Sequence, residues 1–208
     1  WVTGVQTCAL PICHPRWLKQ VMWPSGLPGM GNLEPYLPPS ERNPLGSMAF
    51  VGKQMDTLLD WDMLARLRDQ WGERLLLKGV LHPADVERAI ALGLDGVVVS
   101  NHGGRQLDGA LGSLDALAAI APQAKGKLSL LLDGGIRRGS DIVKALALGA
   151  DAVLLGRSTL YGVAVAGEDG AGRALDVLTE ELARTMNLMG CTHLNHLDSD
   201  SVFERRRA

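Results

Sequence analysis

With 208 residues, 46% hydrophobic and 21% charged, the chain is long enough for one domain with a sizeable core and is not disordered by composition. A formal net charge of −2 and a pI near 6.2 leave no basic footprint for nucleic acid. Cys8, Cys13 and Cys191 form no paired framework, no run has the ~18 apolar residues of a membrane span, and the start does not read as a signal peptide. A reducing, intracellular setting is expected.

In chain order, WVTGVQTCALPI at Trp1–Ile12 resembles the translated sequencing-adapter tails that contaminate predicted proteins. Residues 1–13 are therefore set apart as a leader, and the Cys8/Cys13 spacing is not read as a metal or redox motif. Residues 14–57 are rich in Pro and Gly. After a short helix around Trp17–Met22, Pro24, Pro28, Pro35, Pro38 and Pro39 predict a long loop. Trp17 and Trp23 beside Arg16 and Lys19 suit an interfacial location, although packing on their own fold is equally in keeping with the absence of an amphipathic period.

Residues 58–203 are regular. Leu64, Leu67 and Trp71 lie at helical spacing over Trp61–Trp71, and Leu75–Leu77 predicts a buried strand ending at Lys78 and Gly79. His82 and Pro83 open a helix in which Asp85 and Glu87 suit the N-terminal dipole, a structural role for His82. Val97–Val99 is a β-branched run with no polar alternation, the pattern of a strand buried on both faces. A helix is expected over about Ser113–Ile120, a strand over about Leu128–Leu132, another strand near 153, and a closing helix over about Gly172–Met189. Gly79–Ser100 and Gly135–Gly156 are copies at an offset of 56 residues (135 minus 79), pairing Asp85 with Asp141, Ala91–Gly93 with Ala147–Gly149, and Asp95 with Asp151. Each copy is a helix stopped by glycine and followed by an apolar strand, so the chain predicts a parallel sheet with right-handed crossovers. Cys191, His193 and His196 are a passable ligand set, but they lie beyond the last helix and are not promoted to a metal site. Residues 204–208, with Arg205–Arg207, read as a solvated tail.

The polar residues collect at strand ends, where α/β proteins place their sites. Lys78 ends the first strand, and Ser100, Asn101, His102, Gly103, Gly104 and Arg105 follow the second. Asp133, Gly134 and Gly135 follow the third, and Gly156 with Arg157 the fourth. Two glycines between His102 and Arg105 let a ligand approach both side chains, although an isolated H-G-G-R is equally a turn with incidental polar residues.

Together, LLLKG (75–79), SNHGGRQLD (100–108), LLLDGGIRRGSD (130–141) and LLGR (154–157) resemble the FMN-dependent α-hydroxy acid dehydrogenase and oxidase family, in the family's order and spacing. The likeness covers about Pro15–Val202. HPRW (14–17), KQMD (53–56) and RRGSDIVKALALGA (137–150) look most like its mandelate and lactate dehydrogenase branch. The leader matches nothing in the family. The resemblance implies the C-terminal half of a (β/α)8 TIM barrel, four parallel strands alternating with helices, so the chain is expected to be a truncated product with unpaired sheet edges. Residues 14–57 then fall where the oxidases have an active-site lid and the membrane-bound dehydrogenases a membrane-attachment segment.

The cofactor implied is FMN. The loops after the last two barrel strands are the usual phosphate site, and Gly134, Gly135 and Gly156 with Arg137 and Arg157 match a phosphate dianion. By the same resemblance Asp133 accepts from ribityl hydroxyls, Lys78 lies near the flavin N1 and O2 edge, and Ser100 is within reach of the ring. His102 looks like the base that removes a substrate proton, from the hydroxyl as hydride leaves or from the α-carbon first, and Arg105 would fork onto the substrate carboxylate. The expected reaction is oxidation of an L-2-hydroxy acid such as mandelate or lactate to the 2-oxo acid. The fragment is expected to lack the acid that orients His102, and to be inactive if nothing replaces it. An oxygen-using oxidase and a non-catalytic FMN- or phosphate-binding half-barrel stay open; a type 2 isopentenyl diphosphate isomerase shares the phosphate loops but not SNHGGRQLD. Peripheral contact with the inner face of the cell membrane through residues 14–48, and a homo-oligomeric parent, complete the expectations.

Overall fold

The computed structural model describes residues 31–54 and 59–203, with isolated positions 15, 19 and 23. The leader, most of the expected helix at 17–22, and the tail at 204–208 lie outside the described residues. Two compact units divide after Leu64.

The first unit departs from a continuous loop. Its helix α1, Pro44–Gln54, starts on a proline, which is tolerated at a first helical position because no intrahelical partner needs its N–H. Asn43 caps it, its Oδ1 accepting from Gly46 N at 2.9 Å. Helix α2 follows over Trp61–Gln70.

The second unit is a four-stranded parallel sheet in the order β1-β2-β3-β4, with helices between successive strands. The elements are β1 (Leu76–Val80), α3 (Pro83–Ala91), β2 (Gly96–Ser100), α4 (Ser113–Ala124), β3 (Ser129–Asp133), α5 (Gly139–Ala147), β4 (Ala152–Leu154) and α6 (Arg157–Leu188). This is the α/β half-barrel pattern expected. Val97, Val98 and Val99 are all buried, because β2 is flanked by strands on both edges and covered by helices. Leu117 and Ile120 of α4 and Leu132 of β3 are fully buried around it, each contributing roughly 1.5–3 kcal/mol by leaving water.

The 56-residue repeat has a physical meaning. Gly93 N donates to Ile90 O and Leu94 N to Ala89 O; one repeat later, Gly149 N donates to Leu146 O and Ala150 N to Ala145 O. Both helices thus end in the same glycine-terminated double hydrogen bond. The following aspartates then hold the start of the neighbouring strand: Asp95 Oδ2 accepts from Leu75 N and Asp151 Oδ2 from Leu130 N, both at 2.8 Å. His82 is the N-cap of α3, accepting from Ala84 N through Nδ1.

One expectation is corrected and one is extended. Strand β1 is not buried: it lies at the sheet edge, its burial alternates, and Leu76 is exposed. Its register shifts between Lys78 and Val80, an irregularity of the ladder at Gly79. The closing helix lies close to where it is expected, but a second helical segment, unforeseen and starting at Arg157, precedes it across a break at Ala166 and Gly167. Gly162, Gly167, Gly170 and Gly172 read as poor helix, but a Cβ at Gly162 or Gly170 would strike the other's carbonyl, so these glycines let the two helical segments touch.

Candidate functional site

The C-terminal ends of the strands open onto a cleft of about 800 Å³. It is lined by Lys78, His102, Gly103, Arg105, Asp133, Gly134, Gly135, Arg137, Arg138, Gly156, Arg157, Ser158 and Tyr161, with Ile136 and Leu154. Every residue given a catalytic, substrate or cofactor role from the sequence lines it except Ser100, which is buried. Lys78, Arg105, Arg137, Arg138 and Arg157 bring five cationic side chains against the single carboxylate of Asp133, so the lining favours an anion.

Ser100 ties three strand ends together. Parallel pairing sets Ser100 opposite Asp133, and the Ser100 hydroxyl donates to Asp133 Oδ2 at 2.6 Å. Lys78 Nζ donates to the same oxygen at 2.6 Å and to Ser100 Oγ at 3.1 Å. Burial by itself would raise the Asp133 pKa, but the hydrogen bonds from Lys78 and Ser100, with the charge of Lys78, outweigh it and hold the carboxyl below its ordinary value. Asp133 is therefore an anion that stabilises the ammonium at the cleft floor.

His102 has φ 55, the one non-glycine residue with positive φ among the described residues. Such a backbone costs about 1–3 kcal/mol and persists only where its surroundings impose it. Here His102 N donates to Ser100 Oγ at 3.0 Å, and Asn101 caps the turn, its Oδ1 accepting from Gly104 N at 3.1 Å. Asn101 is braced by Ser113, whose Oγ accepts from Asn101 N at 3.3 Å. Behind the imidazole lies Gly79 (φ 98), where a Cβ would come within 3.2 Å of His102 Cε1.

Arg157 starts α6 and donates through Nη2 to Gly103 O at 3.2 Å, so the residue expected to meet phosphate also supports the His102 loop. The first-turn N–H groups of α6 have no acceptor within the helix, and such an N-terminus suits an anion. Beside them Ser158 Oγ is buried with no hydrogen-bond partner among the described residues. In the 134–138 loop, by contrast, the N–H groups of Arg137 and Arg138 donate to Asp141 Oδ2.

Sequence reasoning gave no role to Asn101, Ser113, Arg138, Ser158 or Tyr161. Tyr161 sits four residues after Arg157 on α6, a spacing that was a usable signal. Asn101 and Ser113 brace the His102 loop. At the far end of the chain Cys191 Sγ donates to His193 O, and the His193 and His196 rings meet edge to face with centroids 5.1 Å apart.

A parallel α/β sheet whose strand ends open onto a cationic, glycine-walled cleft containing a histidine is the architecture of proteins that hold an anionic ligand at their strand ends. The chain belongs to the FMN-dependent dehydrogenase family, whose sequence model matches residues 3–204, a span that takes in most of the leader set apart above. It is 42% identical over 200 residues to an L-lactate dehydrogenase of Ectopseudomonas mendocina (strain ymp), covering 93% of this chain and 51% of that one. The crystal structure of a monotopic membrane protein, (S)-mandelate dehydrogenase, superposes with a TM-score of 0.82 at 42% identity, over 94% of this chain and 51% of the other. A mandelate oxidase with (S)-2-phenylpropionate matches with a TM-score of 0.64 at 42% identity, over 67% of this chain and 42% of its own. The chain spans about half the length of the relatives it matches. The residues present fit FMN: the cationic lining and the orphaned Ser158 hydroxyl suit its phosphate, and the Lys78–Asp133 floor presents donor and acceptor together.

Proposed function

We propose that this chain carries the cofactor and substrate rim of an FMN-dependent α-hydroxy acid dehydrogenase that oxidises an L-2-hydroxy acid of mandelate or lactate type to the 2-oxo acid. The observation that carries the reading is that His102, Arg105 and Lys78 share one cleft with Arg137, Gly156 and Arg157. A base, a carboxylate fork, a positive floor and a phosphate end are thereby within one ligand's reach.

Arg137, Arg157, the glycine N–H groups and the start of α6 hold the phosphate. Asp133 accepts from ribityl hydroxyls. FMN, when held there, would supply the acceptor for the two electrons removed from the substrate. Arg105 binds the substrate carboxylate as a planar, always charged fork. His102 takes the substrate proton on an imidazole nitrogen, a suitable base because its ordinary pKa lies near the working pH. Lys78, held by Asp133 and Ser100, supplies positive charge at the floor where negative charge develops, the condition for stabilising a transition state over a ground state.

The 14–48 segment is proposed to touch the cytoplasmic face of the membrane peripherally. Support comes from the monotopic relative and from Trp23, 76% exposed. Among the described residues no helix is long and apolar enough to cross a membrane.

The test is an anaerobic titration of the purified chain with FMN, followed by L-mandelate and then L-lactate, read by flavin absorbance. Bound flavin that bleaches supports the reading, and the preferred acid names the substrate. Bound flavin that stays oxidised supports a non-catalytic flavin-binding chain, and no bound flavin overturns the assignment. The mandelate oxidase likeness favours a second reading, an oxidase; rapid reoxidation on admitting oxygen would establish it.

A further inference from the structure

We propose that Glu181, which does not itself line the cleft and lies 42 residues from the nearest group it binds, is a positioning residue that fixes the 134–138 loop for the cofactor's phosphate. The inference rests on the FMN reading above. Glu181 lies on the second segment of α6 and uses both carboxylate oxygens on the loop: Oε1 accepts from Arg138 Nη1 at 2.8 Å and Oε2 from Gly139 N at 2.9 Å.

Its placement depends on an independent feature. A Cβ at Gly139 would run into the backbone of Glu181 and Leu182, so this glycine lets the start of α5 abut α6. At that distance a glutamate reaches the first helical N–H of α5, and Val143 and Ala147 of α5 keep the two helices together by packing against Leu182 and Met186. Backbone hydrogen bonding from Gly139, then the Arg138 guanidinium, lowers the Glu181 pKa, so the carboxylate is charged when it does this.

Gly134 (φ 104) and Gly135 (φ 79) join the loop to β3 through a backbone that few other residues adopt. At its other end Asp141 Oδ2 accepts from Arg137 N and Arg138 N, and Glu181 takes Gly139 N together with the Arg138 side chain. Asp141 lies on α5 next to the loop, whereas Glu181 ties the loop to the second segment of α6. That segment meets the first at Gly162 and Gly170, and the start of the first carries Arg157 and Ser158 in the cleft. Glu181 thus fixes the Arg137–Arg138 arm against the Arg157 arm, the two halves of the phosphate site. The same carboxylate occupies the N-terminus of α5, which would otherwise compete for an anion.

Comparison of FMN with riboflavin, which lacks the phosphate, isolates this role. Both are titrated into the whole chain and into Glu181→Gln and Glu181→Asp, read by quenching of flavin fluorescence, with circular dichroism and a thermal melt for each variant. Glutamine accepts from one donor and presents an amide N–H to the other. It is expected to weaken FMN binding by roughly tenfold with riboflavin affinity unchanged. Aspartate, which keeps the charge, should recover part of the FMN preference. An FMN-to-riboflavin affinity ratio unchanged in Glu181→Gln, an equal loss for both flavins, or a Glu181→Gln chain that does not fold would each overturn the positioning role while leaving the FMN reading standing. A parent chain that binds neither flavin overturns both.

Discussion

Ser100 and Asp133 sit opposite each other at the ends of adjacent parallel strands, and the serine hydroxyl that donates to Asp133 Oδ2 at 2.6 Å also accepts from His102 N at 3.0 Å. One buried hydroxyl therefore links the ion pair on the cleft floor to the strained backbone of the candidate base. Replacing it with alanine leaves a partly buried N–H without its acceptor and removes one of two donors from the carboxylate. Ser100→Ala is expected to lower unfolding free energy by about 1–3 kcal/mol. A urea titration checks this: the midpoint should fall with the slope preserved, and an unchanged midpoint would refute the linkage.

Asp133 also sets a pH dependence. Its pKa is below the ordinary 3.8 in the folded chain, because the Lys78 and Ser100 hydrogen bonds exceed the burial penalty. The folded state therefore favours the carboxylate. That contribution is fully present above 3.8 and is lost as pH falls through the lower folded value. Asp95 and Glu181 are shifted in the same direction, so the total acid loss is shared. Stability measured in urea from about pH 5 to about pH 2 should fall less steeply in Asp133→Asn than in the parent. Parallel curves would show that Asp133 contributes nothing to acid sensitivity.

How far these relationships were legible in the sequence depends on their range. Val97–Val99 and the glycine-terminated repeat were readable because burial on both faces and helix termination leave local signatures, and the cleft followed from residues at strand ends. The hidden features are set by topology. Leu76 looks as apolar as Leu132, but β1 is an edge strand and β3 is not. The Ser100–Asp133 contact depends on strand register, and Glu181 reaches Gly139 across 42 residues with no local motif. The first segment of α6 was missed because Gly162 and Gly170 lower helix propensity locally, while their value lies in a contact between segments.

Gly79 should prove as important to His102 as any polar neighbour. Its φ of 98 disfavours a side chain, and an added Cβ would lie 3.2 Å from His102 Cε1. Gly79→Ala is expected to cost about 1 kcal/mol or more from backbone strain alone, and also to displace the imidazole. In the anaerobic assay the limiting rate of flavin reduction should drop while FMN affinity, which the proposed function assigns to Arg137 and Arg157, changes little. A variant that reduces flavin at the parent rate would show that the imidazole does not need this wall.

Arg105 separates charge from geometry. It lines the cleft beside His102, three residues along the same loop. A guanidinium meets a carboxylate with two parallel N–H groups, whereas an ammonium offers one compact, strongly hydrated charge. Arg105→Lys preserves the cleft's net charge but removes the fork. The substrate concentration for half-maximal flavin reduction, measured by anaerobic stopped flow, should rise roughly tenfold or more. FMN affinity should not change, because the phosphate end of the cleft is intact. Half-saturation equal to that of the parent would assign Arg105 to general electrostatics and leave the carboxylate fork to another residue.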